Sequence, residues 1–286
     1  MLKTKLLVIA LGAALALPAM AEDAEVTQHK EGVHATPESA YTVTGNVSLV
    51  SNYLYRGISQ TGGGAALQGG FDAAHASGFY AGLWGSNVSW VGASLSASSA
   101  SLELDTYAGF KGGFAEDFSY DVGFLRYNYP GKYPDPMTTG FVKADTNEIY
   151  GAVGWKWVTL KYSNSLGNTF GLDDSSGSNY VELNASYTLE EAGVTLGAHY
   201  GKQTYKGKYE SDMSLTGAGY TADVKATYTD YKLSASKDFS GYVVGVAYSS
   251  TDTKKGAGQY YYLTQADGST ADLGKATVVL SISHAM

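Results

Sequence analysis

Apolar and polar residues alternate along about twelve short segments of this chain, and this period of two is the feature that most limits its fold. In the stretch NVSLVSNYLYRGISQT, Val47 and Leu49 alternate with Asn46 and Ser48. Successive side chains of a β-strand point to opposite faces, whereas a helix repeats every three to four residues. The stretch is therefore predicted to form a strand with one apolar and one polar face, and the chain to leave the membrane at Arg56-Gly57.

The alternating segments have similar lengths. Most are close to the roughly nine to eleven residues that a tilted strand needs to cross a bilayer. They are Thr42–Tyr55, Ala65–Ala74, Phe79–Val88, Leu102–Phe110, Phe118–Asn128, Asn147–Trp155, Val158–Ser163, Tyr180–Thr188, Val194–Gly201, Tyr231–Ser236, Tyr242–Ser250 and Ala276 to the C-terminus.

Short and long connections alternate between these segments. The short ones are HASG at His75, KGGFAED at Lys111, Lys156-Trp157, LEEAG at Leu189 and KDFSG at Lys237, and the others are mostly longer. Outer-membrane barrels have short periplasmic turns and long extracellular loops. The sequence therefore predicts an all-β protein, with residues 41–286 forming a transmembrane up-and-down antiparallel β-barrel of about 12 strands.

One face of each predicted strand is apolar and is expected to contact lipid. Its residues are Val43, Val47, Leu49, Leu102, Leu104, Ala108, Val122, Phe124, Ile149, Val153, Val181, Leu183, Val194, Leu196, Val244, Val246, Val278, Leu280 and Ile282. Aromatic residues of the same parity lie at strand ends, as in the two aromatic girdles of a membrane barrel. They are Phe110, Tyr120, Trp155, Tyr187 and Tyr242 beside short turns, and Tyr53, Tyr55, Tyr200 and Tyr248 beside long loops. The strand Phe79–Val88 has no clear parity, because Trp84 falls opposite Leu83.

The N-terminus has the pattern of a secretory signal peptide. Lys3 and Lys5 precede a short apolar run, and Ala19-Met20-Ala21 is a small-residue cleavage site. Residues 1–21 are predicted to be cleaved and residues 22–40 to be a flexible periplasmic lead-in. The alternative is an N-terminal anchor, although the apolar run is short for a bilayer helix.

Composition excludes several classes of protein. The 36 glycines and 24 tyrosines, with only 5 prolines, favour a sheet bounded by turns. Removal of Lys3 and Lys5 would change the formal charge from −8 to −10, which argues against a nucleic-acid partner. The absence of cysteine excludes disulfides and thiolate metal sites.

Charged residues collect on the opposite, inward face of the predicted strands. A charge on the lipid side costs roughly 2–4 kcal/mol at mid-membrane for Arg or Lys. The predicted pore-lining residues are Arg56, Asp72, Glu103, Asp105, Asp121, Glu148, Lys161, Glu182, His199 and Lys232. Six acids against three bases predict a lumen with mild cation selectivity. Alternatively, these charges pair with one another and with tyrosines such as Tyr107 and Tyr150 to fill a narrow barrel.

Several stretches resemble the TorF family of proteobacterial outer-membrane porins. They include GNVSLVSNYLYRGISQT, AALQGGFDAAHASGFYAGLWGSNV, EIYGAVGWKW, YTDYKLSASKDFSGYVVGVAYSSTD and KATVVLSISHAM, so the resemblance spans Thr42 to Met286. It implies a barrel in the outer membrane of a Gram-negative bacterium and, by family assignment, transport. Outer-membrane barrels usually end in an aromatic residue, whereas this chain ends in Met286.

The predicted function is passive diffusion of small hydrophilic solutes through an outer-membrane porin. Its expected partners are outer-membrane lipid and lipopolysaccharide, those solutes, and the barrel-assembly machinery through the C-terminal strand. No cofactor, metal or catalytic residue is predicted. One alternative is a closed structural or surface-binding barrel acting through its long loops, mainly Lys202–Asp230 and Thr251–Lys275. The other is an enzyme built on His199 and a nearby serine, which would need an orienting group as well.

Overall fold

The alternation of apolar and polar residues produces a closed barrel in the computed structural model. The structure describes residues 40–97, 99–135, 137, 142–207, 225–256, 259–264 and 269–286. The predicted signal peptide and residues 22–39 of the predicted lead-in lie outside the described residues.

Twelve antiparallel strands form the barrel, each paired with its neighbours in chain order. They are β1 Tyr41–Val50, β4 Ala66–His75, β5 Phe79–Asn87, β6 Leu102–Ala115, β7 Phe118–Asn128, β8 Thr146–Trp155, β9 Val158–Ser165, β10 Asn179–Leu189, β11 Val194–Thr204, β12 Tyr228–Phe239, β13 Tyr242–Thr251 and β16 Thr277–Ala285. The last strand closes the barrel on the first, where Leu49 pairs with Ile282 and the backbone of Gly45 bonds Met286 in both directions. The predicted up-and-down barrel of twelve strands is confirmed.

The long connections carry the remaining elements, which the alternating pattern did not predict. These are the two-residue strands β2 Leu54–Tyr55 and β3 Ile58–Ser59, helix α1 Trp90–Leu95, and strands β14 Tyr262–Thr264 and β15 Thr270–Asp272. Strands β2 and β3 pair with each other, as do β14 and β15. No helix among the described residues is long and apolar enough to cross a membrane.

Short turns and long connections alternate as predicted. The turn expected at KGGFAED is shorter than predicted, because β6 continues to Ala115 and only Glu116-Asp117 separate it from β7. A register shift between Gly113 and Ala115 accommodates this extension. Such a bulge lets a strand bend near its end without losing its partner.

The predicted apolar face lies on the outside of the barrel. Val43, Leu183 and Leu280 are exposed, as are the girdle residues Trp155 and Tyr200. The structure also assigns the faces of β5, where Leu83 points outward with 47% of its surface exposed and Trp84 points inward with 1%. The exterior of the barrel is therefore a continuous apolar surface.

The prediction for the first strand was wrong beyond Val50. Strand β1 ends there, and Tyr53 and Tyr55 lie inside the barrel instead of in an outer girdle. Tyr53 retains only 2% of its exposure and packs edge-on against Trp84, with 5.6 Å between ring centroids. Arg56-Gly57 likewise does not leave the barrel, because the chain turns into the bore after Val50.

An arginine on the outer face should destabilise the barrel according to its depth. Val122 lies near the middle of β7 and is half exposed. We expect Val122→Arg to lower the free energy of unfolding in a phospholipid bilayer by about 2–4 kcal/mol, because the charge would lie in hydrocarbon. Phe118→Arg, on the same face at the end of the same strand, should cost only about 0–1 kcal/mol. Equal costs in equilibrium unfolding would show that this face does not contact lipid.

Candidate functional site

A short hairpin folds into the bore of the barrel. This inner hairpin consists of β2, β3 and the connecting turn Arg56-Gly57, with Leu54 paired to Ser59 and Tyr55 to Ile58. Both turn residues have positive φ, 47° for Arg56 and 77° for Gly57. Two-residue hairpin loops favour this conformation, which matches the twist of the strands. A non-glycine residue there costs on the order of 1 kcal/mol, so contacts elsewhere must hold Arg56 in place.

The inner hairpin starts from β1 and crosses to strands on the other side of the barrel. A Cβ atom added to Gly57 would lie 2.7 Å from Asp230 Cβ on β12 and 2.7 Å from Thr251 Cγ2 on β13. Only glycine fits at this point, because any side chain would overlap the wall. The hairpin therefore spans the bore and its tip is in direct contact with the barrel wall.

Arg56 fixes the hairpin tip through buried polar contacts. Its Nη2 donates to Glu148 Oε2 at 2.8 Å and its Nη1 donates to Glu148 Oε1 at 3.2 Å and to Gln203 Oε1 at 2.7 Å. The guanidinium carbon lies 4.8 Å and 4.3 Å from the ring centroids of Tyr55 and Tyr180. Bidentate ion pairing and cation–π contacts of this kind are the contacts that arginine makes best.

Backbone contacts tie the same segment to two long connections. Ser59 N donates to Leu273 O at 2.8 Å, in the connection that contains β14 and β15. Gln60 O accepts from Ser89 N at 2.8 Å and from Trp90 N at 3.2 Å, where α1 begins. The inner hairpin and these two connections therefore form one packed unit inside the long-loop end of the barrel.

An aromatic cavity lies on the long-loop side of the inner hairpin. It encloses about 60 Å³ and is half open. Its aromatic residues, here called the aromatic vestibule, are Trp90, Phe170, Tyr205, Tyr228, Tyr260 and Tyr261. Burial raises the pKa of Tyr205 to about 12, and burial raises the pKa of Tyr261 as well. These two phenols therefore stay neutral at physiological pH.

A charged cavity of about 50 Å³ lies against the turn of the same hairpin. Its ionisable residues, here called the charged chamber, are Arg56, Lys161, Glu182, His199, Asp230 and Lys232. Lys161 Nζ is 4.0 Å from Glu182 Oε1, and His199 Nδ1 is 3.7 Å from Glu182 Oε2. Five of these six residues belong to the predicted pore-lining set, and the structure brings them together.

His199 is held from both sides of its ring. Its Nε2 lies 2.9 Å from Asp230 Oδ1 and 2.9 Å from the Tyr180 hydroxyl, and its Nδ1 lies 2.7 Å from Asn184 Oδ1. The Tyr180 hydroxyl also donates to Asp230 Oδ2 at 2.7 Å. None of these partners is a serine, so the described residues do not provide the nucleophile of the enzyme alternative.

The other predicted inward acids contact tyrosines. Tyr107 donates to Asp72 and Tyr80 donates to Asp121, each at 2.6 Å, and Tyr80 also bonds Tyr150. These contacts match the alternative in which charges and tyrosines fill the barrel. Asp72 and Asp121 do not line either cavity.

Glu103 and Asp105 are buried in the wall behind the hairpin. Their exposures are 1% and 0%. Tyr53 donates to Glu103 Oε1 at 3.1 Å, whereas Glu103 Oε2 and both oxygens of Asp105 have no hydrogen-bond partner among the described residues. Like Asp72 and Asp121, this pair lines neither cavity.

Two important residues were not predicted from the sequence. Asp230 was assigned to a loop, but it belongs to β12 and shares the inward parity of Lys232. Gln203 was likewise assigned to a loop, although it continues the inward series of His199 and Gly201 on β11. Extending the period of two by one repeat would have found both.

A family match covers nearly all of the described barrel. Residues 34–286 match the model of a family described as "Bacterial protein of unknown function (Gcw_chp)". The chain belongs to this family. No curated protein matches the Gcw_chp chain.

Solved membrane barrels resemble this Gcw_chp chain weakly. A structure described as the NanC porin is 9% identical, covers 85% of this chain and 98% of its own, and gives a TM-score of 0.44. OprD from Pseudomonas aeruginosa is 14% identical, with coverage of 88% and 68% and a TM-score of 0.38. OccAB3 from Acinetobacter baumannii is 13% identical, with coverage of 88% and 66% and a TM-score of 0.38.

Loss of the Arg56 side-chain charge should destabilise the barrel strongly. We expect Arg56→Met to lower the free energy of unfolding by about 3–5 kcal/mol, because Glu148 would remain buried without a counter-charge. Urea unfolding in detergent micelles, followed by circular dichroism, measures this loss. Arg126→Met is a matched control, because Arg126 pairs with Asp145 at 3.2 Å but is 41% exposed, and it should cost about 0–1 kcal/mol. Similar losses for the two variants would contradict a special role for the Arg56 pair.

Proposed function

We propose that this Gcw_chp protein is an outer-membrane channel that allows small hydrophilic solutes to diffuse passively, with a mild preference for cations. The observation that carries the proposal is the combination of an apolar barrel exterior with two cavities inside, separated by one hairpin. The aromatic vestibule and the charged chamber meet at Tyr55, which lines both cavities. A solute that passes the hairpin would move from one cavity into the other.

The charges inside the barrel support the cation preference. Asp230 adds another acid to the predicted excess of acids, and its oxygens face the charged chamber. Acid-rich walls in a low-dielectric barrel attract cations and repel anions. The resemblance to the TorF porins supports the same activity.

The proposed orientation follows the lengths of the connections. The short turns would lie in the periplasm and the long connections outside, with lipopolysaccharide around their bases. Export would require the signal peptide at residues 1–21, and the barrel-assembly machinery would recognise the C-terminal strand. Met286 keeps the outward parity of Leu280 and Ile282 and is 69% exposed, so it is available for such recognition.

A closed structural or surface-binding barrel is the second candidate, and the inner hairpin favours it. Cavities of about 60 and 50 Å³ hold a few water molecules but not a typical solute. Under this proposal the long connections would act at the cell surface. The two candidates differ in whether the hairpin yields to a solute.

Removing the inner hairpin should therefore change the conductance. We expect the wild-type protein in a planar lipid bilayer to give small current steps, because the hairpin narrows the bore. Replacing Leu54–Ser59 by two glycines should raise the unitary conductance several-fold, since no other described residues cross the bore at this level. Silence of both proteins, in samples that show heat-resistant folding, would support the closed barrel and refute the channel.

Charge-neutral variants of the charged chamber test the cation preference. In a potassium chloride gradient, we expect Glu182→Gln to move the reversal potential toward the value for no selectivity, because one acid leaves the solute path. Glu190→Gln is the matched control, since Glu190 is exposed in a short turn outside the bore. An unchanged reversal potential in the Glu182 variant would show that this chamber does not select ions.

A further inference from the structure

The aromatic vestibule has the chemistry of a binding site for an uncharged ligand. Its described lining contains seven aromatic residues, including Tyr55 of the inner hairpin, and no ionisable acid or base. The charges of the barrel lie on the other side of the hairpin, in the charged chamber. A ligand that carried a charge would gain no ion pair here and would lose its hydration.

The aromatic rings are arranged so that ring faces are available. Tyr228 and Tyr261 meet edge to face with centroids 5.1 Å apart, and Tyr260 and Tyr261 meet at 90° and 4.7 Å. In such pairs the partner covers only one face of one ring. A flat ligand with C–H groups can therefore stack on an uncovered ring face.

Unpaired polar atoms at the cavity show that the ligand must also form hydrogen bonds. Trp90 lines the cavity, and its indole N–H is buried without a hydrogen-bond partner. Gln259 precedes the lining residue Tyr260, and its Oε1 is also buried without a partner. A buried donor and a buried acceptor left unpaired are costly, so a ligand that accepts and donates would relieve both.

We propose that the aromatic vestibule binds one ring of a neutral saccharide. A pyranose has C–H faces that stack on aromatic rings, and its hydroxyl groups both donate and accept hydrogen bonds. An aromatic hydrocarbon would satisfy the rings but not the indole N–H. The cavity of about 60 Å³ is half open, so one ring enters while the rest of the saccharide stays outside.

The position of the cavity gives this binding a role. The vestibule lies among the long connections, on the side from which solutes would enter in the proposed orientation. As a statement about transported solutes, the inference rests on the proposed channel. Binding itself is an equilibrium property that does not require conduction, so the two proposals can fail separately.

The first test is binding of maltose to the folded protein in detergent micelles. We expect saturable binding with millimolar affinity in calorimetry, and saturation transfer from protein to the sugar C–H protons in NMR. Trp90→Phe keeps an aromatic ring and removes the N–H, and should weaken binding about three- to tenfold. Tyr228→Ala removes a stacking ring and should abolish measurable binding.

Trp84 provides a matched control for the indole N–H. The Trp84 indole nitrogen is also buried without a partner, but Trp84 is not among the residues that line the cavity. We expect Trp84→Phe to bind maltose with unchanged affinity, provided that its heat-resistant folding is intact. Equal weakening by the two Trp variants would point to a general loss of structure and overturn the assignment to the vestibule.

Comparison of probes tests the ligand class. Maltose should compete with glucose but not with benzyl alcohol or with the open-chain polyol mannitol, which lacks a stacking face. Tighter binding of benzyl alcohol than of maltose would overturn the saccharide proposal in favour of an aromatic ligand. Current steps in the bilayer without any maltose binding would leave the channel intact and refute the saccharide site alone.

Discussion

The buried pair of Arg56 and Glu148 is the interaction on which the interior of this barrel depends. Taking both charges out of water is expensive, and the cost is recovered only if the remaining hydrogen-bonding groups are also satisfied. Gln203 accepts one of the guanidinium hydrogens, and the rings of Tyr55 and Tyr180 lie close to the guanidinium carbon. One side chain thus connects the hairpin to β8, β10 and β11, on the far side of the bore from its origin.

The barrel wall explains why such an interior exists. A strand that is apolar on one face must place its polar residues on the other, and closure turns that face into a confined, charged space. The charges are then satisfied by one another and by tyrosines, as for Asp121 with Tyr80 and His199 with Asp230. The inner hairpin divides this space into a neutral aromatic part and a charged part. Different solute chemistries would be met in sequence along one path.

The sequence predicted the barrel well because its pattern is local. Period two identified the outward residues, and turn residues located strand ends within a few positions, as for Phe118–Asn128. The inward hairpin could not be found in this way, because Tyr53 and Tyr55 continue the outward parity of Val47 and Leu49. An aromatic residue suits a lipid interface and a packed interior equally. What decides between them are contacts distant in sequence, such as Tyr53 with Glu103 and Arg56 with Glu148, 50 and 92 residues apart.

The candidate site shows the same limit. The sequence identified charged inward residues singly, and the structure shows which of them meet, with Lys161, Glu182, His199 and Lys232 around one cavity. Their partners Asp230 and Gln203 were missed because strands β11 and β12 are longer than the pattern indicated. The aromatic vestibule could not be anticipated at all, since its rings come from four different connections and two strands.

The contact of Gly57 with the wall has a mechanical consequence. Because no space separates the hairpin tip from Asp230 and Thr251, a push toward β12 and β13 meets atoms that are already in contact. A push in the opposite direction is opposed only by the ion pair and the ring contacts of Arg56. The hairpin therefore behaves as a door that rests against its frame and swings to one side, with the arginine as its catch.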